Sequence, residues 1–209
     1  MVKVYYPPPN RDIDPQYQII PAGTILNRIF DSTSYGGTAT GFRYNGPRGR
    51  FDHQSRVNGK PADDPNRGII YAGYTLTCCL VEVFGDEDLI TIGQHELATI
   101  ILNQSLKLLD LRGQKAWDAG MNASIANNDR RRLTQAWGKY FYDHPKKYSN
   151  IDGIIFSSAK NSEDAFAFYE RAASKIISAK ISTKSMKNDA LKKEIRLAAK
   201  KLHIPIKFN

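Results

Sequence analysis

Glu82 is the residue whose type and position most directly suggest chemistry. It lies in the stretch TLTCCLVEVF (residues 75–84), which is apolar nearly all round if it is helical. Glutamate is almost never fully buried unless it is paired. Two interpretations therefore remain open. Glu82 is either an edge carboxylate that faces solvent or pairs with an arginine, or a catalytic carboxylate at the rim of a pocket.

Tyr71 precedes Glu82 by eleven residues, at the end of the short apolar run GIIYA (residues 68–72). A strand followed by a helix can fold back on itself, so both side chains could face one cleft. Taken alone, the pattern favours a core tyrosine, because an aromatic residue in an apolar strand is usually packing material.

Arginines are the third group, and their planar fork of donors is suited to binding phosphate. Arg28 ends an apolar strand, where a solvated surface role is less favourable. Arg50 lies in PRGRFD (residues 47–52), directly after a glycine that would let the backbone approach a ligand closely. Residues 31–67 hold further arginines, for which simple solvation is the favoured interpretation: Arg43, Arg56 and Arg67.

Ser157 and Ser158 end the apolar run IDGIIFSS (residues 151–158). A polar pair at the carboxyl end of a buried strand is a common place for a hydroxyl contact to a ligand, and equally a common way to leave a strand. The sequence has no glycine-rich dinucleotide or phosphate loop, no nucleophile elbow and no HExxH motif. The four histidines are scattered, so no metal site is predicted.

Positive charge is concentrated at one end of the 209-residue chain. The formal net charge is +9, and from Ser174 onward nine Lys and one Arg stand against one Asp and one Glu, which gives +8. Nucleic acid and an anionic small substrate are both possible reasons. A nucleic-acid-binding protein that uses this tail is the non-enzyme alternative, although a basic amphipathic helix is more often a solvated face or a docking helix for a partner.

Location is indicated by what the sequence lacks. The start has no signal-peptide pattern, and no apolar run approaches the roughly 18 residues that span a membrane. The adjacent Cys78 and Cys79 are poor partners for each other and are interpreted as small buried hydrophobes in a reducing cytosol. We expect a cytoplasmic protein without a membrane partner.

The elements that must position these residues mix helices and strands without regular alternation, which predicts an α+β fold. Thr75 is the predicted N-cap of a helix that runs through Phe84 and stops at Gly85. Residues 19–30 are predicted to hold a Pro-Ala-Gly turn and then a strand that ends near Arg28. Further strands are predicted in residues 68–72, 97–102, 105–112, 151–158, 174–183 and 203–208. Helical pieces are predicted in residues 114–142, of which 129–144 is the clearest. A further helix is predicted in 187–202, a short helix or turn in 162–170, and a long loop in 31–67.

Put in chain order, these features resemble the RES domain family, named for its Arg, Glu and Ser. The similarity lies in an arginine after an apolar strand, a GRFD loop, a strand ending in Tyr-Ala, a helix with Glu82 and a later DGIIFSS. It covers roughly residues 20–175. Phe51 and Asp52 stand where the family usually has Trp and Asn.

The resemblance implies an ADP-ribosyltransferase-like split β core and a toxin of a bacterial toxin–antitoxin system. Residues 1–183 would form the NAD-consuming domain, and 184–209 a basic helical extension of it. The implied activity is that of an NAD phosphorylase, which uses NAD as substrate, inorganic phosphate as co-substrate and no cofactor. An NAD glycohydrolase and a protein ADP-ribosyltransferase are the enzyme alternatives, and the absence of an ExE motif argues against the latter.

Carried over by motif, Glu82, Arg28 and Tyr71 would be catalytic, and Arg50 with Ser158 or the adjacent Ser157 would bind substrate. A cognate antitoxin protein is the implied partner, and direct nucleic-acid binding is not favoured.

Overall fold

The structure, a computed structural model, describes residues 4–34, 37–126 and 130–209. The strands are β1 (Tyr17–Ile20), β2 (Ile25–Asp31), β3 (Asn45–Gly46), β4 (Ala62–Asp63), β5 (Ile69–Gly73), β6 (Ile90–Ile92), β7 (His95–Ile101), β8 (Leu106–Asp110), β9 (Gly153–Ser157), β10 (Asp164–Tyr169), β11 (Lys180–Ser185) and β12 (Ile206–Phe208). The helices are α1 (Leu76–Phe84), α2 (Gln114–Asp118), α3 (Ala123–Ala126), α4 (Arg131–Asp143), α5 (Pro145–Tyr148), α6 (Ala173–Ile177) and α7 (Asp189–Lys201), with a 3₁₀ turn at Glu170–Ala172.

A mixed sheet forms the centre of the molecule and confirms the predicted α+β class. Within the described residues its eight strands are ordered β1-β8-β9-β10-β5-β2-β7-β11, and β8 and β9 are the parallel pair. Apolar side chains cover both faces. Trp137 and Phe141 of α4 pack on one face, and Ile176 of α6 packs on the other.

The sheet is split between β2 and β5. Along their described lengths these strands share one residue pair, Asn27 with Gly73, whereas β2 pairs with β7 over seven residues. Beyond that pair β2 leaves β5, and Arg43 bridges to Ile69 at the other end of β5. The Arg28 side chain spans the gap and donates to the Tyr71 carbonyl oxygen at 3.0 Å. A cleft therefore opens in the middle of the sheet.

Helix α1 begins and ends where the sequence predicts. The Thr75 hydroxyl accepts a hydrogen bond from the Cys78 backbone N–H at 2.9 Å, which satisfies one of the free donors of the first turn. Gly85 closes the helix with its N–H donating to the Val81 carbonyl at 2.9 Å. The helix follows β5 directly, so Tyr71 and Glu82 come to the same side of the cleft.

The basic C-terminal segment is part of the fold. Strand β12 pairs in parallel with β6, and α7 packs against α1. The apolar face of α7 (Leu191, Ile195, Ala198 and Ala199) joins Cys79, Leu80 and Phe84 of α1 in one core cluster. Most of its basic side chains face solvent. Within the described ranges, every helix is too short or too polar to cross a bilayer.

Two of the predicted elements are wrong. Residues 162–170 do not form a helix or turn, because residues 164–169 are β10, which lies between β9 and β5. Its alternating alanines and phenylalanines pack on opposite faces of a sheet that is buried on both sides, so no polar residue marks the alternation. The predicted strand 174–183 is helix α6 followed by β11.

Two leucines of α7 test whether this helix supports the core. Leu191 is 5% exposed in the cluster around α1, whereas Leu197 on the same helix is 55% exposed. We expect Leu191→Ala to lower the free energy of unfolding by about 2–4 kcal/mol, because a buried cavity remains. Leu197→Ala, which has the same change in helix propensity, should cost less than about 0.5 kcal/mol. Urea denaturation measures both; equal losses would contradict the packing.

Candidate active site

A cavity of about 380 Å³ lies in the split of the sheet. Ligand pockets in proteins are typically roughly 300–1,000 Å³. The cavity is lined by Arg28, Ile29, Arg48, Gly49, Arg50, Tyr71, Ala72, Cys78, Cys79, Glu82, Val83, Asp86, Arg131, Lys160 and Ala165. Four of the predicted site residues, which are far apart in the sequence, therefore line one space: Arg28, Arg50, Tyr71 and Glu82.

Glu82 extends from α1 into this cavity. Its Oε1 atom is buried and accepts no hydrogen bond from any described residue. The Arg50 Nη1 atom lies 4.0 Å away, which is an ion-pair distance but too long for a hydrogen bond. A carboxylate oxygen that is buried and unsatisfied is costly, so it is suited to a ligand that brings a donor or a positive charge.

Arg50 approaches Glu82 from the opposite wall. Its guanidinium carbon lies 5.1 Å from the ring centre of Phe156 and 5.5 Å from that of Phe51, within the range of cation–π contacts. Burial lowers the pKa of Arg50, and the Glu82 carboxylate acts in the opposite direction. Even so, a guanidinium stays charged at neutral pH.

Arg28 comes from β2, at the point where this strand leaves β5. Burial lowers the pKa of Arg28 to about 10, so it is still protonated at neutral pH. One of its nitrogens holds the Tyr71 carbonyl, whereas its buried Nε finds no hydrogen-bond acceptor among the described residues. Arg28 therefore supplies the cavity with a cation that the Tyr71 carbonyl holds in place.

Tyr71 lines the cavity, but its hydroxyl is already engaged. The hydroxyl donates to Asp52 Oδ1 at 2.7 Å and accepts from the Phe51 N–H at 3.1 Å. Burial and the neighbouring Asp52 raise the pKa of Tyr71 well above its usual value, so the phenol keeps its proton. In this arrangement Tyr71 anchors the loop that carries Arg50.

Asp52 organises this loop, and sequence reasoning named it only as a departure from the family pattern. The residue is fully buried. Its Oδ2 atom accepts from Arg43 Nη2 at 2.6 Å and from the backbone N–H groups of Arg48 at 2.5 Å and Gly49 at 2.8 Å. A carboxylate that accepts several hydrogen bonds fixes the backbone that supplies them. Asp52 thus fixes the direction in which Arg50 leaves the loop.

Gly49 has no side chain because there is no room for one. A Cβ atom there would lie 2.8 Å from both Asp52 Oδ1 and the Tyr71 hydroxyl. The sequence suggested that this glycine lets the backbone approach a ligand; the structure shows close approach to the protein's own buried groups. Gln135 of α4 donates to the Gly49 carbonyl at 2.8 Å and completes the support.

The three arginines expected to be solvated are held by partners instead, so that expectation is wrong. Arg43 is paired with Asp52 at 2.6 Å, Arg56 donates to Gln135 Oε1 at 2.7 Å, and Arg67 is paired with Asp143 at 2.8 Å. In this loop-rich region, where regular secondary structure is sparse, ion pairs and side-chain hydrogen bonds hold the chain in place.

The two serines lie beside the cavity without lining it. Ser158 is 2% exposed, and its Oγ accepts from the Lys160 backbone N–H at 3.3 Å. Ser157 is half-buried at the end of β9. The serine turn thus positions Lys160, which does line the cavity. Contact of either serine with substrate stays a prediction.

Four charged lining residues were missed by sequence reasoning: Arg48, Asp86, Arg131 and Lys160. Asp86 binds both Arg131, at 2.9 Å, and Lys160. These four residues come from four separate segments and carry no motif, so only the fold brings them together. In the described parts of the chain no group of His, Cys, Asp and Glu could hold a metal ion. Burial raises the pKa of Cys79 to about 12, and it also raises that of Cys78, so both thiols are neutral.

Comparisons with known proteins agree on the fold. A solved chain from the Mycobacterium tuberculosis MbcT–MbcA toxin–antitoxin complex superposes with a TM-score of 0.54 at 16% identity, covering 86% of this chain and 92% of that one. At this identity the likeness concerns the fold alone. No curated protein sequence matches the chain closely. The sequence model of the RES domain matches residues 25–189, which is most of the chain. The chain therefore belongs to the RES domain family.

Proposed function

We propose that this protein is an NAD-consuming toxin that transfers ADP-ribose from nicotinamide to phosphate. The observation that carries the proposal is the buried, unsatisfied Glu82 Oε1 in a cavity whose other charged walls are mostly cationic. Membership of the RES domain family supports NAD as the substrate, and the similar fold of a chain from a toxin–antitoxin complex supports a toxic role.

The proposed reaction is glycosyl transfer at C1″ of the nicotinamide ribose. A phosphate oxygen forms a bond to C1″ while the C1″–N bond breaks, and its electron pair goes to the ring nitrogen. Nicotinamide leaves as a neutral molecule, so no general acid is needed. Positive charge builds on the ribose in the transition state, and a carboxylate beside it stabilises that charge. Glu82 takes this role, because its buried Oε1 accepts no hydrogen bond from the described residues and could face the sugar.

The cations have a complementary role in the proposed reaction. Arg28 and Arg50 bind the pyrophosphate of NAD or the incoming phosphate, since an attacking dianion needs cationic donors to approach. Tyr71 bounds the ribose with its ring, because Asp52 and Phe51 occupy its hydroxyl. Ser158 or Ser157 would contact substrate only after a local movement of the turn before Lys160.

A cognate antitoxin protein is the proposed partner. The solved chain with a similar fold comes from a toxin–antitoxin complex, and this supports a partner of the same kind here. A protein that covers the cavity would shield the Glu82 oxygen that accepts no hydrogen bond from the described residues and keep NAD out.

The products of NAD breakdown distinguish the proposed reaction from its alternatives. We expect mass spectrometry to detect ADP-ribose 1″-phosphate when the protein is incubated with NAD and inorganic phosphate, and not when phosphate is omitted. Plain ADP-ribose in both samples would instead identify a glycohydrolase. Label from NAD on a macromolecule would identify an ADP-ribosyltransferase.

Glu82→Gln tests the carboxylate itself. The amide keeps the size of the side chain but loses its negative charge, so we expect NAD turnover to fall at least about 100-fold, as when one electrostatic stabiliser is removed. Glu87→Gln, an exposed acid just beyond the same helix, is the matched control and should keep wild-type turnover. Near wild-type turnover by a folded Glu82→Gln protein would rule out the assigned role.

A further inference from the structure

Three charged residues lie at the solvent-exposed edge of the cavity. Asp86 follows α1, Arg131 is the first residue of α4, and Lys160 lies in the turn between β9 and β10. Asp86 accepts from Arg131 Nη2 through Oδ2 at 2.9 Å and from Lys160 Nζ through Oδ1. One carboxylate therefore holds two cations from separate elements, and all three residues line the cavity.

The charged residues that line the cavity are mostly cations. Among the described residues the cavity is lined by five cations (Arg28, Arg48, Arg50, Arg131 and Lys160) and two acids (Glu82 and Asp86). Arg131 also begins a 13-residue helix that has no acidic residue in its first turn. A cation is unfavourable at this end of a helix, because the free N–H groups there already carry positive charge. A bound anion would relieve both imbalances.

Lys160 is held in position at the mouth. Its side chain crosses the end of α1, where a Cβ atom on Gly85 would lie 2.6 Å from Lys160 Cδ. Its side chain is 27% exposed, compared with 59% for Arg131 and 67% for Asp86. The hydrogen bond from Lys160 lowers the pKa of Asp86, so this carboxylate is ionised at neutral pH. Asp86 is therefore the most solvent-exposed member of the group.

We propose that Arg131 and Lys160 form a phosphate-group subsite at the cavity mouth, and that Asp86 occupies this subsite as a built-in competitor until the anion displaces it. A phosphate oxygen offers both cations the same kind of acceptor as the carboxylate does, with more negative charge. The identity of the phosphate rests on the proposed function: it belongs either to the dinucleotide or to free inorganic phosphate.

If Asp86 competes with the anion, removing its charge changes anion binding in the opposite direction to removing a residue that only supports the site. Removing the charge of Asp86 should tighten binding of the anion, because the two cations stay in the site and no longer have an internal partner. Removing Arg131 and Lys160 should weaken it. An exposed ion pair of this kind is modest in strength, so we expect about fivefold tighter binding for Asp86→Asn.

Calorimetric titration with inorganic phosphate and, separately, with ADP tests this inference on the full chain. The variants are Asp86→Asn and the double variant Arg131→Gln/Lys160→Gln. Matched controls change the net charge equally outside the subsite: Glu87→Gln, and Arg132→Gln/Lys193→Gln, all exposed positions that do not line the cavity. Thermal unfolding confirms that every variant is folded.

We expect Asp86→Asn to bind at least one anion about fivefold more tightly than Glu87→Gln does. The Arg131→Gln/Lys160→Gln variant should bind the same anion at least about tenfold more weakly than its matched control. An effect on inorganic phosphate alone assigns the subsite to the co-substrate, and an effect on ADP assigns it to the dinucleotide.

Asp86→Asn that binds neither anion more tightly than Glu87→Gln would overturn the proposal, and so would unchanged binding by the double variant. The outcome is separate from that of the proposed function. Anion binding with this pattern in a protein that does not consume NAD would contradict the NAD reaction and leave the subsite in place. NAD turnover by a protein whose variants lack this pattern of anion binding would support the NAD reaction and contradict the subsite.

Discussion

The candidate site depends on a pairing that stops after one residue. If β2 and β5 paired along their whole length, the backbone would close the space into which Arg28, Tyr71 and Glu82 project. Instead the strands meet at Asn27 and Gly73 and then separate. The gap is stable because Arg28 spans it to the Tyr71 carbonyl, so a backbone acceptor that would have belonged to a ladder is satisfied by a side chain. The residue that maintains the opening thus also supplies a positive charge to it.

Two acids at this site show how the surroundings set the role of a carboxylate. Asp52 is fully buried, and its oxygens accept from Arg43, from the Tyr71 hydroxyl and from two backbone N–H groups. All of its bonding capacity is used in shaping the loop. Glu82 is less buried but has an oxygen that accepts nothing from the described residues. The first is structural because it is satisfied, and the second is available for a ligand because it is not.

The features that could be predicted from the sequence are those set by residues close together in the chain. The features that could not be predicted are set by residues far apart in it. Helix α1 was predicted almost to the residue, because Thr75 and Gly85 act on their own neighbours. Strand β10 was not, since its place between β9 and β5 is decided by distant strands and its Ala-Phe alternation resembles any short apolar run. The meeting of Arg28, Arg50, Tyr71 and Glu82 was expected from the family resemblance. The hub at Asp52 and the cluster around Asp86 needed the fold, because their partners are scattered along the chain and share no motif.

The packing of α7 on α1 has a consequence for how the protein is made. The helix that carries Glu82 is covered on its core side by residues far along the chain, including Met186, Leu191 and Ile195. Strand β12, whose partner is β6, is farther still. On the ribosome, α1 emerges long before these residues do and cannot bury its apolar surface against them. The helix that carries Glu82 therefore completes its packing only after residues 186–208 have left the ribosome.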